Sequence, residues 1–398
     1  MREGVGAPAG AGGAVESGGA VESAAAVESA AAVEIDGARG EGGGQILRTS
    51  LALSMITGRP LVMQNIRAGR AKPGLRRQHL ACVQAAARLS GARVTGDRVG
   101  SQALMFAPGP IGGGAAGGAP GGAPGGAPIE LEIDIGTAGS TSLVVQTILV
   151  PAIAAGVALT ARVIGGTHNP LAPPFDFLER VFVPHLRAMG ADVELALDRH
   201  GFAVAGGPHK TDWHDDETPH RGQLTLTVRP GGALAPIRLL EAGPVVARRA
   251  TALLVRLPAH VAERELGVVR ERLGFAADEC RVVELRGAAP ANVLLVEIER
   301  AGGRELVSQF GQKGLRAELV ADRACDEVAA FLGAGVPVGE HLADQLLLPL
   351  AVLGGGRFRA APLSSHAVTN IETIRRFLDV PIHVVPDGTA VVVSIGEG

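Results

Sequence analysis

Apolar positions along the chain recur with two periods. Spacing at i, i+3, i+4 and i+7 predicts helices within 40–58, 76–91, 136–156, 175–190, 338–356 and 371–379. The first, third and fifth of these run up to Gly58, Gly156 and Gly354, where the positive φ that stops a helix is cheap. Short apolar runs follow at PLVMQNI (60–66), ALTARVI (158–164) and RFRAA (357–361) and predict strands. A Gly-, Pro- or Ser-containing loop comes next at 67–74, 165–174 and 362–370, and the second helix of each pair begins after it. The order of capped or Gly-rich start, helix, glycine, strand, loop and helix therefore occurs three times. It predicts an α/β (α+β) fold made of three repeats of a β-sheet-plus-two-helices unit. HVVP (383–386) and AVVVSI (390–395) add further strands.

Residues 240–334 interrupt the pattern between the second and third copies. Strand-like ATALLVRL (250–257) and NVLLVEIE (292–299) alternate there with helix-like 260–274 and 315–333. This reads as a smaller inserted α/β domain with no cluster of residues that suggests chemistry, leaving 35–239 and 335–398 as the repeat domain. Residues 1–34 carry AVES at 14–17, 20–23 and 26–29 and bury too little apolar area to offset their ordering entropy, so a disordered tail is expected. GGGAAGGAPGGAPGGAP at 112–128 reads as a flexible surface loop.

Composition narrows the functions. A chain of 398 residues that is 46% hydrophobic can bury a sizeable core. A formal net charge of −3 provides no global field for nucleic acid, so any such contact needs a local basic patch. Tyrosine is absent, Trp213 is the single tryptophan and aromatics make up 3%, which argues against a broad stacking platform for single strands. Cys82, Cys280 and Cys325 lack metal-ligand spacing, and so sparse a set fits a reduced cytosolic protein. No signal-peptide pattern and no bilayer-length apolar run are present. A cytoplasmic location with no membrane contact is expected, and nothing calls for an obligate protein partner.

The local basic patch exists. Arg67, Arg70, Lys72, Arg76 and Arg77 fall within eleven residues, just ahead of a helix N-terminus. Guanidinium forks and helix-start N–H groups both suit phosphate, although a solvated charged face has the same composition. Glu41-Gly-Gly-Gly-Gln45-Ile-Leu-Arg48 opens the first helix. Its glycines admit a ligand or another backbone, Glu41 could hold a divalent metal or its water, and Gln45 and Arg48 share a face. It is not a Walker A loop, and a simple capped start would look similar. His341, Asp344 and Gln345 lie at i, i+3 and i+4 and could orient a metal or a nucleotide, or merely open a polar helix. His366 stands in Ser364-Ser365-His366, ahead of Thr369-Asn370. A neutral imidazole is a competent nucleophile near neutral pH, but residue type alone does not select one histidine of eleven.

Seven strings bear on the choice: 34–58, IRAGRAKPGLRRQHL (66–80), GTAGSTSLVVQT (136–147), GGTHNPLAPPFDF (165–177), RHGF (199–202), GEHLADQLLLP (339–349) and SSHAVTNI (364–371). In this order the chain resembles the RNA 3′-terminal phosphate cyclase family across about 34–396. The resemblance implies an inserted domain of thioredoxin-like topology. It also implies ATP as cosubstrate, a divalent metal (Mg or Mn) and an RNA with a 3′-terminal phosphate as partner. The implied chemistry passes through a covalent histidinyl-AMP and an RNA-adenylate to a 2′,3′-cyclic phosphate. The implied nucleophile is His366, and the metal carboxylates are Glu41 and Asp344. Phosphate contacts fall on Arg48, Arg67, Arg70 and Gln78, and the adenosine pocket on Gln146, Pro173, Phe177, His341 and Gln345. Many relatives have Tyr where this chain has His341, and Pro208 replaces a third glycine after Gly206-Gly207. Two other readings bear on the same pattern. A catalytically silent ribosome-assembly relative would lack His366, and an enolpyruvyl transferase on a related repeat fold would not keep SSHAVTN with GEHLADQ.

Overall fold

The computed structural model describes residues 32–40, 42–112, 128–202, 221–287 and 289–396. Glu41, Pro208, Trp213, most of the expected tail and most of the Gly/Ala/Pro loop lie outside the described residues. Three four-stranded sheets share one strand order. β1 (Val33–Asp36) pairs parallel with β2 (Leu61–Gln64), and β2 then pairs antiparallel with β4 (Leu104–Ala107), which carries β3 (Arg93–Thr95) on its far edge. β5 (Ile129–Asp134), β6 (Leu159–Gly165), β7 (Asp192–Arg199) and β8 (Gly222–Arg229) follow in the order β5-β6-β8-β7. β9 (Ile237–Leu239), β14 (Gly356–Ala360), β15 (Ile382–Asp387) and β16 (Ala390–Ile395) give β9-β14-β16-β15.

Each parallel pair needs a crossover, and a helix supplies it. These helices are α1 (Gly44–Thr57), α3 (Thr141–Ala154) and α7 (Glu340–Leu353). They end where the sequence places glycines, with Gly58, Gly156 and Gly354 at φ of 69, 63 and 134°. A second helix joins the second strand of each sheet to the third. These are α2 (Arg77–Ser90), α8 (Ser365–Phe377) and a composite α4 built from Phe175–Phe177, Leu178–Phe182 and Val183–Ala188, whose middle stretch is π-helical. α1 packs against α2, α3 and α8, and α3 packs against α7, so the helices of all three units meet.

Three sequence expectations change. Val33 and Glu34, assigned to the tail, begin β1, because Val33 and Ile35 point one way into a parallel pairing with β2. The long segment 240–334 does not fall between the second and third units, since β9 precedes it and already pairs with β14 of the third sheet. Finally, the second helix of the third unit starts at Ser365 rather than 371. Ser364 is its N-cap and its Oγ accepts the Ala367 N–H at 3.2 Å, a capping signal that the loop reading passed over.

The interrupting segment forms the fourth sheet, from β10 (Val245–Val255), β11 (Cys280–Leu285), β12 (Ala291–Arg300) and β13 (Gly303–Phe310), in the order β11-β10-β12-β13. Its first strand is internal, unlike in the other three sheets. Ala250, Ala252, Leu254, Leu294 and Val296 face α5 (His260–Leu273) and α6 (Ala317–Ala334), forming a second core. Leu253, Val255, Val293 and Leu295 face the main core from the opposite side. Burial on both faces explains why NVLLVEIE reads as a continuous apolar run rather than an alternation.

Two contacts tie this sheet to the helices of the main core. Glu297 of β12 is 5% exposed and meets Arg180 of α4 at 3.3 Å, and Arg180 in turn holds Asp176 at 2.8 Å. Glu305 of β13 sits where a side chain on Gly339, the N-cap of α7, would have to go. Burial, with Glu327 and Glu340 nearby, pushes the Glu305 carboxyl up to about 8 against an ordinary 4.5, with only the Leu306 N–H opposing. Between about pH 4.5 and 8 the folded carboxyl keeps a proton that the unfolded one releases, so stability falls as pH rises through that window. Glu305→Gln should therefore melt progressively higher relative to the parent protein as pH is raised from 5 to 8 (about the range set by the two values). Parallel melting curves across a pH series would show that Glu305 is charged in the folded protein.

Candidate active site

The N-terminal turns of α1, α7 and α8 meet beside the middle of α3 and line one cleft. Its polar floor is Gln45, Arg48 and Thr49 from α1, Asp344 from α7 and Asn370 from α8. Gln146 of α3 and Gln345 of α7 form a polar wall and hydrogen-bond to each other across it. Val150, Phe182, Leu348 and Pro349 make the apolar side.

A chain of hydrogen bonds fixes the floor. Thr49 Oγ1 donates to Asn370 Oδ1 at 2.9 Å, and Asn370 Nδ2 donates to Asp344 Oδ1 at 3.1 Å. Gln45 Nε2 donates to the same Asp344 oxygen at 2.5 Å. Gln45 Oε1 lies 2.8 Å from His366 Nδ1. A carboxylate oxygen can only accept, so the Gln45 amide must turn its NH₂ to Asp344 and its carbonyl to the histidine. His366 Nδ1 then has to be the donor. In the neutral ring this leaves the lone pair on Nε2, and His366 is exposed. Three helices distant in sequence thus set one tautomer.

Charge reinforces this arrangement. Burial raises the Asp344 carboxyl above its ordinary value, while hydrogen bonds from Gln45 and Asn370 and the charge of Arg48 pull the other way. Burial lowers Arg48, opposed by Cys82 and Asp344. Removing either amide partner leaves a partly buried carboxylate under-satisfied, at a cost of about 1–3 kcal/mol.

The other described residues singled out in the sequence lie outside the cleft lining. Arg70 reaches the Gly-rich start of α1, with Nη2 3.4 Å from the point a Gly43 Cβ would occupy. Gln78 braces the second loop, accepting the Ser140 N–H at 3.4 Å. Arg67 turns onto its own loop and donates from Nη1 to the carbonyls of Lys72 and Gly74, each at 2.9 Å. Its φ of 54° is a left-handed conformation that costs energy for any residue but glycine. Pro173 is half-buried and His341 is exposed on the first turn of α7, neither lining the cleft. Phe177 is 2% exposed and packs in the core, while Phe182, five residues on, is among the residues that line the cleft. Glu41 lies outside the described residues.

Sequence reasoning missed Asn370, Thr49 and His79 as site residues. Asn370 stood in the quoted SSHAVTNI string, but only the helix starting at Ser365 places it one turn after His366. His79 of α2 is 4% exposed and held at about 3 by burial and by Arg67, Arg48 and Arg76.

The cleft thus carries one arginine, Arg48, and its Gln45 holds the exposed His366 at its edge. Comparison with known proteins gives the family. A family model described as RNA 3′-terminal phosphate cyclase matches residues 39–384. An RNA 3′-terminal phosphate cyclase of Ectopseudomonas mendocina (strain ymp) is 49% identical over 349 residues, covering 87% of this chain and 93% of its own length. Proteins of the same name from Koribacter versatilis (strain Ellin345) and Pseudomonas fluorescens are 42% and 46% identical, each covering 88% of this chain and 91% and 94% of their own lengths. The chain belongs to the RNA 3′-terminal phosphate cyclase family.

Nitrogen-15 NMR of the histidines tests the tautomer. His366 is expected to carry its proton on Nδ1 at neutral pH, and Gln45→Leu is expected to shift it toward the Nε2–H form. A parent protein already dominated by Nε2–H would contradict the assignment.

Proposed function

We propose that this chain converts an RNA 3′-terminal phosphate to a 2′,3′-cyclic phosphate at the expense of ATP, with His366 as the covalent carrier of AMP. Family membership supports the overall reaction. The hydrogen bond from His366 Nδ1 to Gln45 supports the nucleophile, because in the neutral ring it puts the proton on Nδ1 and the lone pair on Nε2.

In the first step Nε2 attacks the α-phosphorus of ATP, the bond to the bridging oxygen breaks and pyrophosphate leaves. Nδ1–H stays hydrogen-bonded to Gln45, which spreads the positive charge gained by the ring. In the second step an oxygen of the RNA 3′-phosphate attacks the same phosphorus, the P–N bond breaks and His366 regains its lone pair. In the third the vicinal 2′-hydroxyl attacks the 3′-phosphorus, its proton passes to solvent and AMP leaves. A phosphate monoester has no good leaving group, and adenylylation supplies one. Arg48, Arg67 and Arg70 neutralise charge on the phosphates. The adenosine moiety occupies the cleft between Gln146 and Gln345, with Pro173, Phe177 and His341 shaping the surrounding loop, core and helix start. Gln78 sets the phosphate end through the second loop.

A divalent metal, Mg or Mn, would be held by Asp344 and Glu41 and would neutralise charge at the α-phosphate. Among the described residues no three His, Cys, Asp or Glu side chains gather as a ligand set. A Mg-type ion takes one or two carboxylates and fills its shell with phosphate and water oxygens.

The shared strand order of three sheets supports reading residues 35–239 and 335–398 as three copies of one unit. A mixed sheet covered on one face by two helices supports a thioredoxin-like reading of 240–334. No helix among the described residues is long and apolar enough to cross a membrane, and all three cysteines are free thiols, which suits the cytoplasm.

Incubation with α-labelled ATP and Mg or Mn is expected to label the protein through an acid-labile, base-stable bond. Label retained by His366→Ala would remove this residue as nucleophile. The same preparation should turn a 3′-phosphate-ended oligoribonucleotide into its cyclic form, one AMP released per end.

A further inference from the structure

Beside the start of α1 stands a donor, His79 of α2, that the adenylylation chemistry above does not use. His79 Nδ1 accepts the backbone N–H of Arg76 at 3.1 Å, the third helical residue reaching back to the N-cap. A ring nitrogen that accepts an N–H carries no proton, so the proton of the neutral ring is on Nε2. Arg48, Arg67 and Arg76 surround the ring and, with burial, keep it neutral. Nε2 has no hydrogen-bond partner among the described residues, although His79 is 4% exposed. Nε2 lies 2.5 Å from the position a Cβ on Gly44 would take, and Arg48 Nη1 lies 3.3 Å from the same point. Arg70 Nη2 approaches the adjacent Gly43 from its own loop. Gly44 is therefore a glycine because an imidazole and a guanidinium occupy its side-chain space. N–H donors from α1, α2 and the first loop converge on the N-terminus of a 14-residue helix whose N-cap, Gly43, offers no side-chain cap.

We propose that His79 is an uncharged phosphate donor, whose Nε2–H joins Arg48 and Arg70 in binding the pyrophosphate portion of ATP and the pyrophosphate that leaves. The proposal rests on the ATP-dependent reading of the site. The donors stand immediately before Gln45, the residue that fixes the nucleophile, so the anion they hold adjoins the reacting phosphorus. A neutral donor suits this place. Arginines already supply the charge, and another cation among them would raise repulsion in the empty site and slow release of the product.

Two near-isosteres separate this role from simple capping in the full-length protein. In His79→Gln the amide NH₂ reaches the Nε2 position and the Nδ1 acceptor is lost. In His79→Asn the amide oxygen replaces Nδ1 and the distal donor is lost. Binding of inorganic pyrophosphate is measured by calorimetry, alongside thermal melting and the rate of AMP transfer from ATP. His79→Asn is expected to keep its melting temperature but to bind pyrophosphate about tenfold more weakly, the scale of one hydrogen bond to a charged group. His79→Gln is expected to keep pyrophosphate binding within about threefold while melting lower. Pyrophosphate affinity unchanged in both variants, or lost in His79→Gln and kept in His79→Asn, would overturn the proposal. So would a defect confined to the 3′-phosphate oligoribonucleotide, which would give the site to RNA phosphate. Because binding is read without turnover, failure of the parent protein to take AMP would count against the proposed function and not against this site.

Discussion

The Gln45 side-chain amide joins two groups whose chemistry depends on each other. Its NH₂ is held by Asp344, itself fixed through Asn370 to Thr49, and its carbonyl holds His366. Turning the amide over would point two acceptors at each other on one side and, on the other, force the histidine into the tautomer whose outer nitrogen carries a proton. Neither partner alone determines the orientation; the acceptor-only character of a carboxylate does. An exposed histidine would otherwise divide between tautomers and rotamers, and this network removes that freedom before substrate arrives.

The rest of the molecule holds α1, α7 and α8 at the spacing this network needs. The parallel strand pairs β1–β2 and β9–β14 force α1 and α7 to be crossovers, and α8 packs on both. The fourth sheet contributes although it lacks a residue in the cleft. Its Glu305 carboxyl abuts the N-cap of α7, five residues before Asp344, and its Glu297 holds Arg180 on the helix that carries Phe182. The inserted unit thereby presses on two of the helices that line the cleft.

Much of this was legible in the chain. Period-3.6 apolar positions and terminal glycines located the helices, and Gly58, Gly156 and Gly354 do take positive φ. The basic loop and the Gly-rich turn were visible by residue type, but type alone left a solvated face and a capped helix start as equal readings. Other features were hidden for physical reasons. β9 is three residues long and takes its meaning from β14, over a hundred residues away, so no local pattern could assign it to the third sheet. His366 looked like a loop residue because Ser364-Ser365 precedes it without an apolar repeat, yet Ser364 caps a helix there. Phe177 and Phe182 cannot be told apart by type, yet Phe182 lines the cleft and Phe177 does not. The Gln45–His366 contact spans 321 positions and joins two polar residues, which leaves no periodic trace. His79 was concealed by its neighbours, because among so many arginines a neutral ring adds nothing to a charge pattern.

The reading proposed above has His366 react through Nε2 while Gln45 holds Nδ1. The most direct measurement is the site of attachment in protein loaded with AMP, read by phosphorus–nitrogen coupling in ¹⁵N-histidine-labelled material. The account predicts the phosphorus on Nε2 of His366, with Nδ1 still protonated. Attachment through Nδ1, or to another side chain, would contradict it.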